Sequence, residues 1–260
     1  MDVGRKDELL AEGVWDMNQT YDARSSEYAF KDYSFSKLNE RYSVWTGSNM
    51  EDNLFDILKI KNECGKLTNA GALLADNSPV YQSRLFCTHW NGLSMCGGLS
   101  NAVDSAEYSG SLILLLEKGI EFVKRNMKTT DSESETLEYC EKSIFEALVN
   151  ALIHRDYTTV GSEVHIDMYD DRLTVYSPGG MADGSKIQER DITKVDSICR
   201  NPVLANIFTV LGYMNCRGGG LKKIIEAYRE REDYCEKYEP KFHSGVSDFE
   251  VTLYNLKYNK

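Results

Sequence analysis

The sequence is poor in metal-binding and secretory features. It has only four histidines and four prolines, and its seven cysteines (64, 87, 96, 140, 199, 216, 235) are odd in number and never spaced C-x-x-C. That pattern excludes a zinc ribbon or finger and a secreted disulfide framework. The cysteines are expected as buried free thiols of a reducing cytosol. His89, His165 and His243 show no metal-ligand spacing. The longest apolar run, residues 112–116, is far too short to cross a bilayer. The N-terminal MDVGRKDELL has no apolar stretch for a signal peptide. Together these predict a cytoplasmic protein with no membrane partner. Positive charge is also scarce, with 30 Lys and Arg against 41 Asp and Glu and a net charge of -11. A general grip on nucleic acid is therefore not expected, although a local basic pocket for one nucleotide remains open. No Walker A loop, nucleophile-elbow serine or helicase motor motif is present.

The 260 residues, 42% of them hydrophobic and 11% aromatic, suffice for one large domain or two small ones. Residues 1–50 are polar and Tyr-rich, with short helices expected at 9–17 and 35–42. They read as a leader that packs onto something else or as the remnant of a missing upstream domain. Residues 51–127 read as an α/β module packing onto the core. It contains a helix over 51–60 with Leu54, Ile57 and Leu58 inside, a short helix capped by Thr68, a strand over 84–90 and a strongly amphipathic helix over 109–126. A charged link at 128–138 leads into a helix over 137–155. A hairpin follows, with Val164, Ile166 and Met168 alternating against polar neighbours, and Leu173 and Val175 returning. Ser177-Pro178-Gly179-Gly180 ends it. Residues 181–201 have few core positions and predict a long mobile loop. A helix over 202–211, a glycine-rich loop opening a helix within 216–230 and a final strand over 248–256 complete the pattern.

Chemistry concentrates in the 145–157 stretch, FEALVNALIHRDY. On a helix, Glu146, Asn150 and His154 are spaced i, i+4, i+8 and form one narrow stripe, with Ile144, Phe145, Leu148, Val149, Leu152 and Ile153 opposite. The stripe is either a set of ligands for a metal-bound phosphate or solvated decoration. His154 stays unassigned, since a lone histidine near a helix end is more often a cap or a local hydrogen-bonding group. Gly218, Gly219 and Gly220 before a helix allow close backbone approach to an anion at a positive dipole end, or they form a close-packed loop.

In combination these pieces are more specific. GKLTNAGALL (65–74), EALVNALIHRDY (146–157), DDRLTVYSPGG (170–180) and RNPVLANIFTVLGYMNCRGGGLKKI (200–224) follow in order. This order resembles the gyrase, heat-shock-chaperone, histidine-kinase and mismatch-repair (GHKL) ATPase superfamily. More closely, it resembles a bacterial and archaeal branch described as transcriptional regulators or ATP-dependent DNA helicase-related proteins. The resemblance implies an α+β fold: a mixed β-sheet with helices packed on one face, a Bergerat-like two-layer sandwich at 128–260, plus a smaller mainly helical N-terminal module. It implies ATP and Mg²⁺ as cofactors, with Glu146 as the carboxylate acting on the attacking water and Asn150 as the Mg²⁺ ligand. Gly179 would lie under the adenine, beside Ser177 and Gly180. Gly218, Gly219 and Gly220 would cradle phosphates, aided by position by Arg217 and Lys222, with 181–216 as a lid. Ser177 stands where the superfamily has its adenine-reading Asp, and Met181 stands at its second Gly. The Alba-like (Schlafen-type) domain usual in this branch has no counterpart pattern in residues 1–50.

The function implied is a Mg²⁺-ATP-binding domain of a transcriptional regulator, with slow hydrolysis and lid closure as a switch. The alternative is a non-catalytic scaffold or dimerisation domain of a DNA-associated regulator with a degenerate nucleotide site. A third reading, DNA binding through residues 50–125 as a helix-turn-helix, lacks a basic helix: residues 109–126 set Lys118, Lys124 and Arg125 against Glu117 and Glu121. A homodimer is a possible assembly, and nucleic acid is expected only through a missing or separate domain.

Overall fold

The computed structural model describes residues 19–127, 137–192, 198–214 and 219–258. The expected helix at 9–17, most of the 128–138 link, and Cys216, Arg217 and Gly218 lie outside them. The N-terminal part contains β1 (Ser25–Ala29), α1 (Ser36–Thr46), α2 (Asp52–Ile57), β2 (Lys66–Thr68) and α3 (Asn69–Leu74). Strands β1 and β2 pair antiparallel, and the Thr68 hydroxyl caps α3 by accepting from the Gly71 amide at 3.1 Å. Helix α2 is shorter than its pattern. Phe55 is buried while Ile57, expected inside, is 66% exposed. The helix stops there, Leu58 is buried as expected, and a left-handed Lys59 turns the chain so that Ile60 also enters the core.

Residues 84–254 carry the main sheet. Its strands are β3 (Arg84–Trp90), β4 (Ala102–Ser109), β5 (Val164–Met168), β6 (Arg172–Pro178), β7 (Lys241–Ser244) and β8 (Asp248–Tyr254), in the order β4-β3-β5-β6-β8-β7. Only the β3–β5 pair is parallel, and the chain between them runs through the antiparallel edge strand β4 and then a helical crossover to β5. That crossover holds α4 (Leu112–Asn126) and α5 (Glu141–Ile153), and both lie on one face. A side chain at Gly119 of α4 would meet Leu85, Ile166 and Leu148 at 2.9–3.2 Å, so sheet and both helices converge there. The opposite face carries Phe86, His165 and Tyr176 in ring contact. The fold is α+β. Helices α6 (Pro202–Val210) and α7 (Gly220–Arg229) complete the helices of the described residues. None of these helices is long and apolar enough to cross a membrane.

Of the segment 181–201, residues 193–197 lie outside the described ones, and 181–192 depart from the expected loop poor in core contacts. Ile187 is 1% exposed, its amide donates to the Ser244 hydroxyl at 2.9 Å, and the Gln188 side chain brackets the Ser244 backbone. One apolar residue and one amide thus pin this stretch to β7. The cysteines depart as well. Cys87 and Cys140 are buried, but Cys64, Cys96 and Cys235 are exposed, because they lie in turns and loops rather than on core-facing positions.

The polar N-terminal residues reach far across the chain. Asp22 is fully buried, and one carboxylate oxygen accepts from the amides of Val203 (2.7 Å) and Leu204 (3.0 Å) at the start of α6. The Asn201 side chain is turned away to the Ile153 and Arg155 carbonyls, leaving the cap to Asp22. Asp22→Ala would strand two helix-end amides and should cost about 2 kcal/mol in urea unfolding. An unchanged midpoint would show that the cap contributes nothing.

Candidate functional site

Helix α5 is apolar on almost every side, and its polar stripe faces neither water nor core but a cavity. Ala147 and Ala151 leave room beside the stripe, and Val175, Phe249 and Val251 of the sheet form the floor. Met181, Ile192, Ile198, Met214 and Leu221 enclose the sides. The lining is therefore apolar with a few convergent polar groups, the usual make-up of a small-molecule site. Glu146, Asn150, Ser177, Gly179, Gly180, Gly219 and Gly220 all line it. Lys222 does not: it pairs with Glu226 one turn along α7 at 3.4 Å. The lysine that reaches the stripe is its neighbour Lys223, whose Nζ lies 3.7 Å from Glu146 Oε2.

The stripe has two ends. Eight residues of helix separate Glu146 from His154 by about 12 Å. At the first end, the start of α7 lies against the stripe. A Cβ on Gly220 would sit 2.5 Å from Glu146 Oε1 and 2.8 Å from Asn150 Nδ2, so a larger residue would push both stripe side chains aside. Gly219 precedes it with φ +87°, a left-handed conformation that favours glycine. Asn150 Nδ2 is directed to Glu146 Oε1 at 3.5 Å, and Asn150 Oδ1 has no partner among the described residues.

At the second end, the Ser177 hydroxyl donates to the Ala151 carbonyl at 2.7 Å. Its proton is thereby committed, and Ser177 Oγ can only accept from a ligand. Gly179 (φ +105°) and Gly180 form the adjoining turn. A Cβ on Gly180 would lie 2.3 Å from the Gly245 carbonyl oxygen. The turn is tied on three sides: the Asp156 amide donates to Pro178 O, the Gly179 amide to Ser247 O, and Arg200 Nη2 to Gly180 O, each at 2.7 Å. Arg200 also lines the cavity and pairs with Asp156 Oδ2 at 3.4 Å, while its Nε is buried without a partner among the described residues. Burial alone would raise the Asp156 pKa, but the Thr158 hydroxyl and amide and the Arg200 guanidinium outweigh it and hold it low.

His154 belongs to this end. It lines the cavity and stands at the C-cap of α5, as one of its expected roles had it, while among the described residues its ring makes no hydrogen bond. Burial, and then the nearby Arg200 charge, push its pKa down to about 4. Sequence reasoning missed Lys223, Arg200 and the apolar walls. Arg200 lay in view, within RNP just ahead of α6, but nothing local marked it as facing the glycine turn.

The comparisons with known proteins bear on the same region. Residues 161–253 match the family described as Putative ATP-dependent DNA helicase recG C-terminal, an ATPase-like domain. That span contains Ser177 and both glycine segments, while the stripe helix precedes it. In fold the chain is similar to the DIP2311 protein from Corynebacterium diphtheriae, with a TM-score of 0.72 at 18% identity over 92% of this chain and 48% of that one. The chain thus spans about half the length of that protein. Among curated proteins none matches this sequence.

Proposed function

We propose that the cavity binds a nucleotide with Mg²⁺, ATP above all, as a GHKL-type pocket of a transcriptional regulator. The single observation that carries this reading is the convergence of the stripe, the SPGG turn and the start of α7 on one cavity. The donor set suits such a ligand. The start of α7 offers unpaired amides and a positive dipole end to phosphates, with Lys223 beside it. Asn150 Oδ1 would supply a protein oxygen to Mg²⁺, a hard cation that keeps most of its waters and neutralises phosphate charge. Gly219 and Gly220, with Gly218 outside the described residues, admit phosphates where a Cβ would block them. Arg217 is a further phosphate partner in this reading. Ser177 Oγ accepts from an exocyclic amine, and Gly179 and Gly180 bring the backbone close to the base.

Glu146 would orient or deprotonate water for slow hydrolysis, and residues 181–216 would close as a lid. In this reading residues 128–260 carry the nucleotide pocket, 51–127 pack onto it and extend its sheet through β3 and β4, and 1–50 are a leader. A non-catalytic scaffold or dimerisation domain is the second reading. It is favoured by Ser177 in place of a carboxylate and by the pairing of Glu146 with Lys223.

Equilibrium binding of a fluorescent ATP analogue with and without Mg²⁺ tests the proposal. Asn150→Ala should weaken the Mg²⁺-dependent binding by about 10- to 100-fold. Glu146→Ala should keep binding and abolish hydrolysis. Absence of binding to the wild type at millimolar nucleotide would sink the reading.

A further inference from the structure

The base end of the cavity contains an imidazole that the reading above leaves unused. His154 lines the cavity, and neither ring nitrogen has a hydrogen-bond partner among the described residues. A half-buried imidazole with both nitrogens unspent carries a desolvation cost that a ligand could recover. Its neighbours place it. Ala151, whose carbonyl holds the Ser177 hydroxyl, lies one turn earlier on the same helix. Arg200, whose charge acts on His154, bonds the Gly180 carbonyl. His154 and Ser177 therefore address the same end of a bound molecule, about 12 Å along the helix from Glu146.

The two groups differ in what they offer. Ser177 Oγ is restricted to accepting. The His154 ring, with its pKa near 4, is neutral at pH 7 and carries one N–H donor and one acceptor nitrogen. Arg200 spends one N–H of each Nη on Gly180 and Asp156 and keeps further donors, its Nε among them, so loss of the ring-nitrogen contact in His154→Ala is what separates the two groups. An acceptor beside a donor matches one edge pattern in a base, an exocyclic amine flanked by an unprotonated ring nitrogen. Adenine presents that pattern on both sides of its amine, at N1 and at N7. Hypoxanthine replaces the amine with a carbonyl, which would face the lone pairs of Ser177.

We propose that His154 is a specificity-determining residue of this site, donating its N–H to an adenine ring nitrogen beside the amine that Ser177 accepts. The proposal rests on the nucleotide reading of the cavity and adds which residue selects the base. The bond is neutral and ligand-facing, so its loss should cost up to about tenfold in affinity.

Isothermal titration with ADP, IDP, 1-deaza-ADP and 7-deaza-ADP tests it without relying on hydrolysis. The wild type should bind ADP about tenfold more tightly than one of the two deaza analogues, the one lacking the nitrogen that His154 contacts. His154→Ala should bind ADP about tenfold more weakly and lose that difference, while keeping its preference for ADP over IDP. His154→Gln, which retains an N–H donor, should restore part of the discrimination, an effect that a purely structural role would not produce. Equal binding of ADP and both deaza analogues by the wild type would overturn the proposal even if the variants failed to fold. An undiminished deaza difference in His154→Ala would overturn it as well. If the wild type bound none of the four, the nucleotide reading itself would fall and this inference with it. If it bound ADP without regard to the ring nitrogens, only the role of His154 would fall.

Discussion

Gly180→Ala is expected to weaken nucleotide binding on the order of 100-fold and to destabilise the fold by about 3 kcal/mol. The new Cβ would lie 2.3 Å from the Gly245 carbonyl oxygen and 3.0 Å from that of Val246. Both obstacles are backbone, so no side chain can swing aside. Relief has to come from moving the SPGG turn away from residues 245–247. That motion pulls against the bonds from Gly179 to Ser247, from Asp156 to Pro178 and from Arg200 to Gly180. Ser177 and Gly179, which stand at the base end, shift with the turn. Gly184→Ala is the matched control, because its φ is +72° but a Cβ there meets nothing within 4 Å. It should cost only about 1 kcal/mol of backbone strain and leave binding intact. Thermal unfolding and ADP titration on both variants check the pair. Wild-type affinity in Gly180→Ala would remove the turn from the binding site.

Only the parts of the site that rest on local pattern could be read from the chain. The stripe was legible because helical periodicity is local: Glu146, Asn150 and His154 had to share a face once 141–153 was helical. That the face would meet a cavity depended on Gly220 approaching from residues far along the chain, which no local pattern contains. Lys222 and Lys223 are equivalent in sequence, but successive helical residues point about 100° apart, so only one of them reaches Glu146. Strand β4 escaped notice because it is an edge strand whose inward positions are Ala102, Asp104, Ala106 and Tyr108, none of them fully buried. Asp22 could not be recognised as a cap, since the amides it satisfies are 181 and 182 residues away. Capping signals are legible only when donor and acceptor are neighbours in sequence.

Arg155→Met is expected to destabilise the protein by roughly 3–5 kcal/mol, the largest stability loss of any single change considered. Arg155 is 1% exposed, and no carboxylate bonds its guanidinium. It donates instead to three backbone carbonyls: Asp156 at 2.7 Å, Thr159 at 3.2 Å and Ser162. Its Cζ lies 5.0 Å from the centroid of the Tyr157 ring, which in turn stacks on Tyr21. Burial lowers its pKa, against the opposing pull of Tyr157, Glu163 and Asp156 nearby. Methionine would fill much of the volume and remove the buried charge, so the charge itself is not the source of the loss. The loss comes from the carbonyls of Asp156, Thr159 and Ser162, which lose the one donor they share. Residues 156–162 join the stripe helix to β5, and Asp156 within them anchors both Pro178 and Arg200. Loosening this loop should therefore weaken ADP binding along with stability, although Arg155 does not line the cavity. Arg155→Lys keeps the charge but cannot span three carbonyls with one ammonium, and it should recover less than half of the loss. Guanidinium unfolding of the three proteins measures the order. A methionine variant as stable as the wild type would show that the loop holds its shape without Arg155.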